Sequence, residues 1–224
     1  MLGQPVSRRR VLQLAAAAVA TLPLVTETAR AGAAGAGPAT FDVGNLEQVT
    51  LEAWADTIVP GEKRSAADRV VAGACAGPGA VQAGVWDLLN DEAVGVQPAL
   101  PVFATLLNGA AIDDAVAHGV VLDVTVPPFV ALSFERRTAV ALQLLGTSGF
   151  EQLVWYALAG IAMLAFHTAG HLDTATAVRD GHPGLTWIEF PEPDADGLWR
   201  FPDFSYQRVL ASEHPATTSS GNPA

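Results

Sequence analysis

Residues 153–166 (Leu-Val-Trp-Tyr-Ala-Leu-Ala-Gly-Ile-Ala-Met-Leu-Ala-Phe) run for fourteen positions without a charged side chain. A helix that is apolar on every side must be enclosed by other elements. Fourteen residues fall short of the ~20 that a bilayer-spanning helix needs. The run therefore predicts a central core helix, reaching from Gly149 to Gly170, in an all-α domain. Half of the 224 residues are apolar, which is material enough for such a core.

Other segments supply the helices around it. Asn45 is expected to cap a first helix, with Gln48 three residues on. Leu51, Trp54, Ala55, Ile58 and Val59 share its inner face, Glu47, Glu52 and Asp56 lie off that face, and Pro60-Gly61 ends it. Pro78 suits the start of a second helix, which Val81, Val85, Leu88 and Leu89 trace and which closes at Asn90-Asp91. Pro101 opens a third, with Phe103, Leu106, Leu107 and Ala110 inward, Gly109 a candidate break and Gly119 a stop. The β-branched residues 120–130 read as an extended connector. Ser133 caps a fourth helix, with Phe134, Ala141, Leu144 and Leu145 inward and Gly146 at its end. The expected architecture is a compact bundle of about five helices over residues 45–180.

From residue 181 the composition changes. Pro183, Pro191, Pro193 and Pro202 exclude long helices, and Trp187, Phe190, Trp199, Phe201, Phe204 and Tyr206 crowd together. Residues 181–214 are expected to form an irregular aromatic arm, with Asp194, Asp196 and Gly197 turning it midway. Its rings suit either packing on the helical domain or anchoring in a partner's groove. Residues 215–224 are polar and expected to be disordered.

The amino-terminal end carries a different message. Arg8, Arg9 and Arg10 precede an Ala-rich apolar run, and Ala29-Arg30-Ala31 offers a small-x-small exit. This is the form of an export signal over residues 1–31, cut after Ala31. The Arg8-Arg9 pair points to the twin-arginine route, which carries proteins already folded. The apolar run is too short for a permanent anchor. Residues 32–44, rich in Gly, Ala and Pro, read as a flexible tether. The expectation is a protein exported to the cell envelope or beyond, with no membrane span after cleavage.

Charge and cysteine narrow the function further. The whole chain has net charge −11, and without the leader's four arginines and one glutamate it falls to −14. Such a surface disfavours nucleic acid and anionic lipid. Cys75 is the sole cysteine, so no internal disulfide exists. Set among Ala and Gly, it reads as an inert buried thiol. There is no dinucleotide-binding glycine fingerprint after a strand, no Walker loop, no Cys-x-x-Cys-His and no Gly-x-Ser-x-Gly. Asp113-Asp114 and Asp91-Glu92 read as solvated faces, since adjacent helical residues diverge.

One spacing could carry chemistry. His167 and His171, at i and i+4, would share a helix face and could hold a metal or haem, with Asp173 as a third ligand. The competing reading is that the helix ends at Gly170 and the imidazoles cap its carbonyls. The first makes a stand-alone exported metalloenzyme; the second leaves no catalytic, cofactor-binding or metal-binding residue.

Residues 50–61, Thr-Leu-Glu-Ala-Trp-Ala-Asp-Thr-Ile-Val-Pro-Gly, bear on the choice. With the leader, they resemble the first helix of the small-subunit family typified by gluconate 2-dehydrogenase subunit 3, which ends in an Ala-Asp-x-Ile-x-Pro-Gly pattern. Residues 201–206, Phe-Pro-Asp-Phe-Ser-Tyr, are similar to a segment of an actinobacterial group of exported proteins. The first resemblance implies a non-catalytic accessory subunit. Such subunits bind a large flavoprotein oxidoreductase of the glucose–methanol–choline type, help it mature and supply its export signal to the twin-arginine translocase. FAD would then sit in the partner and no cofactor in this chain. The aromatic arm departs from the gluconate-type pattern. A structural or binding protein with no oxidoreductase link is the remaining alternative.

Overall fold

The computed structural model describes residues 43–195 and Trp199. The expected signal (Arg8, Arg9, Ala29, Ala31), most of the tether, and residues 201–224 of the arm and tail lie outside them. Eight α-helices occur among the described residues and no strand. They are α1 (Val43–Ile58), α2 (Val85–Leu89), α3 (Leu100–His118), α4 (Pro128–Ala131), α5 (Phe134–Leu145), α6 (Phe150–Thr168), α7 (Thr174–Arg179) and α8 (Pro183–Trp187). A 3₁₀ turn, Gln97–Ala99, leads into α3.

Local chemistry sets most helix ends where the sequence places them. The Ser133 hydroxyl accepts from the Arg136 amide at the start of α5, and Asn90 and Gly146 close α2 and α5. Gly119 ends α3 in the left-handed region, φ 64°. Pro101 sits in the first turn of α3, which runs through Gly109 without a break. Two starts differ from expectation. Helix α1 is already formed at Val43, so Asn45 lies inside it. Residues 80–84 form turns, and α2 begins only at Val85 after left-handed Gly84.

The central helix is α1, not the apolar run. It packs on α2, α3, α4, α5 and α6. Every side chain from Thr50 to Thr57 is buried, Glu52 and Asp56 included. Trp54 lies between the rings of Phe129 and Trp155, at centroid distances of 6.5 and 5.5 Å, and Phe103 meets Trp155 from α3. Helix α6 is buried along Val154, Trp155, Leu158, Ala159, Ile161, Ala162, Ala165 and Phe166, and open on the rest of its circumference. At nineteen residues it is longer than the run that suggested it. By length and apolarity alone, both it and Gln97–His118 could cross a membrane, with mean hydropathies of 1.2 and 1.3.

The two acidic residues of α1 are buried because each has partners well beyond the helix. Glu52 accepts from Arg64 Nη1 at 3.0 Å and from Gln48 at 2.8 Å. The Asp56 carboxylate accepts from the Gly61 and Ala72 amides, at 3.2 and 2.8 Å. Burial pushes the Asp56 carboxyl up, and those amides and the nearby Arg137 charge pull it back. The Ala-Asp-x-Ile-x-Pro-Gly pattern is thus a clamp that ties the end of α1 to the chain that follows.

Asp68 organises that chain. It accepts from Arg64 Nε at 2.7 Å and from the Val70 and Val71 amides at 3.0 and 3.1 Å. Burial alone would raise its carboxyl, but Arg64 and the two amides outweigh it and hold it at about 2. The unfolded value is 3.8, so this stabilisation is complete above that pH and lost as pH falls from 3.8 towards 2. Arg64 is 43 % exposed, which screens part of the effect. Asp68→Asn is expected to cost roughly 1–2 kcal/mol at neutral pH. Urea melts at several pH values should show the gap to wild type closing between about pH 4 and 2.

Candidate functional site

The structure separates the two histidines that the sequence could have paired. Helix α6 ends at Thr168, and Ala169 turns left-handed at φ 46°. His167 stays on the exposed side, its Nδ1 donating to the Met163 carbonyl at 3.0 Å. His171 lies past the turn and packs against Gly84. Asp173 caps α7, its carboxylate accepting from the Thr176 amide at 2.9 Å. Among the described residues no group of three or more His, Cys, Asp or Glu side chains is placed to hold a metal.

His171 instead faces His182, with ring centroids 6.2 Å apart. His182 is buried and fully used. Its Nε2 donates to the Ala83 carbonyl at 3.1 Å, and its Nδ1 accepts from the Leu185 amide at 3.3 Å, capping α8. Burial pushes the His171 imidazole down, Asp87 pulls it up and His182 pushes it further down. Its Nδ1 is buried without a hydrogen-bond partner. The pair joins the chain just before α2, the turn after α6 and the start of α8.

Two other residues depart from expectation. Cys75 is exposed, because residues 73–76 form a surface loop. Asp114 is buried, held by Arg136 from α5, with Nε at 2.8 Å from Oδ2; His118 lies beside the same carboxylate. Asp114 therefore joins α3 to α5 and is no solvated-face residue.

The aromatic residues divide. Trp187 is exposed at the end of α8. Phe190 is half-buried against the small cluster of Ala169, Ala177 and Leu185. The chain divides into two compact units, of which the first runs through Phe190 and takes in α8. Trp199 belongs to a second unit. Phe201, Phe204 and Tyr206 lie outside the described residues.

The main surface feature was read from sequence as core. On α6, Leu153 (61 % exposed), Tyr156, Met163 (50 %) and Leu164 are open, and with Gly160 they follow a 3–4 spacing along one face. On α3, Val102, Leu106, Ile112 and Val116 are open likewise, although Leu106 was expected inward. Each face has a mid-helix glycine, Gly160 and Gly109. Among the described residues a Cβ built on either would meet nothing within 4 Å. Packing inside the fold therefore demands neither glycine, and each weakens its helix by about 1 kcal/mol against alanine. A bare backbone in an apolar helix face permits close approach by another element. The signal was present in the sequence as a glycine at the middle of each long apolar helix.

No curated protein and no solved structure matches the chain. Residues 45–224 match a family model described as a family of unknown function (DUF5987), and over that span the chain belongs to this family.

Proposed function

We propose that the protein is a non-catalytic accessory subunit. It docks through the open apolar faces of α6 and α3 onto a large flavin-dependent oxidoreductase of the glucose–methanol–choline type. Its Arg8-Arg9 pair then takes the folded complex across the membrane. FAD belongs to the partner. The observation that carries the reading is the pair of apolar faces, each with a glycine that the fold itself does not need. Contiguous exposed apolar surface rimmed by polar residues marks interaction sites. The likeness of residues 50–61 and of the leader to gluconate 2-dehydrogenase subunit 3 supplies the partner class.

The test is co-purification of the tagged full-length protein from its own host, read by mass spectrometry and by the visible absorbance of oxidised flavin. A large flavoprotein should come with the wild type. Leu153→Asp with Met163→Asp changes only exposed side chains and should weaken the complex at least about tenfold, or 1.4 kcal/mol. Arg8→Lys with Arg9→Lys should leave both proteins inside the cell. A protein exported alone that turns over a substrate unaided would overturn the reading, and so would a partner indifferent to the α6 face.

A further inference from the structure

A cleft of about 720 Å³ opens between α8 and the loop that follows α1. Among the described residues its lining includes Glu62, Pro78, Gln82, Trp187 and Glu189, and no lysine or arginine. We propose that it binds an organic cation, an alkylammonium or guanidinium group, on the indole of Trp187 beside the carboxylates of Glu62 and Glu189.

The walls are fixed in place. Gly77, at φ 81°, lets the six-membered ring of Trp187 lie on its backbone; a Cβ there would come within 2.5 Å of Trp187 Cη2. The indole is pinned along one edge yet remains 57 % exposed. The Glu62 amide donates to the Gly77 carbonyl at 2.7 Å. Gln82 Nε2 donates to the Glu62 carbonyl at 2.6 Å, and Gln82 Oε1 accepts from the Gly79 amide at 2.9 Å. The backbone that carries Glu62 is therefore held from both sides.

Glu189 is placed against local preference. Helix α8 closes with the Glu189 amide donating to Thr186 and the Phe190 amide donating to Leu185. This is the motif whose left-handed position glycine usually fills, and here glutamate adopts φ 54°. Neither its carboxylate nor that of Glu62 has a hydrogen-bond or ion-pair partner among the described residues.

The chemistry selects the ligand class. An indole face attracts cations through its quadrupole, and two unpartnered carboxylates add charge of the right sign. A divalent metal ion would want six or more oxygen ligands in a small cage. A wide cleft with proline and indole walls suits instead a cation that also carries apolar surface. A guanidinium can stack and an alkylammonium can bury its carbons.

The experiment follows the five tryptophan indole N–H signals of the full-length protein by NMR. The probes are tetramethylammonium chloride, N-acetyl-lysine amide and N-acetyl-arginine amide, with sodium chloride at matched ionic strength as control. One indole signal should shift saturably at millimolar or lower probe. That signal should be missing in Trp187→Leu while the other four stay in place, which shows the fold intact. Glu62→Gln with Glu189→Gln should weaken binding at least tenfold. Tighter binding of tetramethylammonium assigns the cleft to a free quaternary cation, and tighter binding of either amino-acid amide to a basic side chain. No saturable shift with any probe overturns the proposal, as does a shift that sodium chloride reproduces or the double variant leaves unchanged.

Discussion

Arg137→Ala is expected to lower the unfolding free energy by about 3–5 kcal/mol, a large share of the 5–15 kcal/mol typical of a domain. Arg137 is 3 % exposed. Its guanidinium donates to four backbone carbonyls: Leu132 at 3.2 Å, Val130 at 2.6 Å, Val70 at 2.6 Å and Arg69 at 2.8 Å. Two belong to the stretch from α4 to the start of α5 and two to the loop after α1. Burial pushes the Arg137 pKa down and the Asp56 charge pulls it up, so the cation is compensated by carbonyl dipoles and a carboxylate it does not touch. Alanine leaves the carbonyls without a donor, at about 1–3 kcal/mol for each that water cannot reach. Lysine brings one point charge where a planar fork bridged two segments, and should recover less than half of the loss. Urea denaturation of the three proteins measures this directly. An alanine variant within 1 kcal/mol of wild type would mean that the carbonyls find other donors.

Gly61→Ala should be nearly as damaging, at about 3 kcal/mol. A Cβ on Gly61 would lie 2.4 Å from the Gly79 nitrogen, and one on Gly79 would lie 2.5 Å from both the Gly61 nitrogen and the Val59 carbonyl oxygen. These are backbone atoms and cannot rotate away. Parting the two segments would stretch the bond from the Ala80 amide to the Val59 carbonyl, 3.0 Å, and draw the Gly61 amide from Asp56. Gly79→Ala should cost a similar amount. The double variant should be no better than either single one, because each adds bulk to the same crossing. A thermal melt of Gly61→Ala that overlays the wild type would remove this account of the Pro60-Gly61 pair.

These two sites mark the boundary of what the chain discloses on reading. Helix ends were legible because their causes are local: a serine hydroxyl at residue 133, glycines at 119 and 146, a proline at 101. The all-α class was legible from periodicity. Which helix lies at the centre was not. Hydropathy favours residues 153–166, whereas α1 carries Glu52 and Asp56 and looks half-solvated. Those carboxylates are buried because Arg64, Gly61 and Ala72 fold back onto them, and no helical period encodes such a return. The same limit applies to the surface. An apolar helix in sequence reads as core, so the open faces of α6 and α3 emerged only when their neighbours were placed. The left-handed turn at Ala169, which ends α6 between His167 and His171, was not legible either.

The hub position of α1 also has a bearing on synthesis. The segment that every large neighbour clasps leaves the ribosome before any of them, and α6 follows roughly a hundred residues later. Long-separation contacts delay folding, so a nascent chain must keep the apolar face of α1 uncovered until α6 has emerged. A prematurely truncated product, lacking α6, would hold an orphaned strip of tryptophan and leucine ready to aggregate or to be seized by a chaperone.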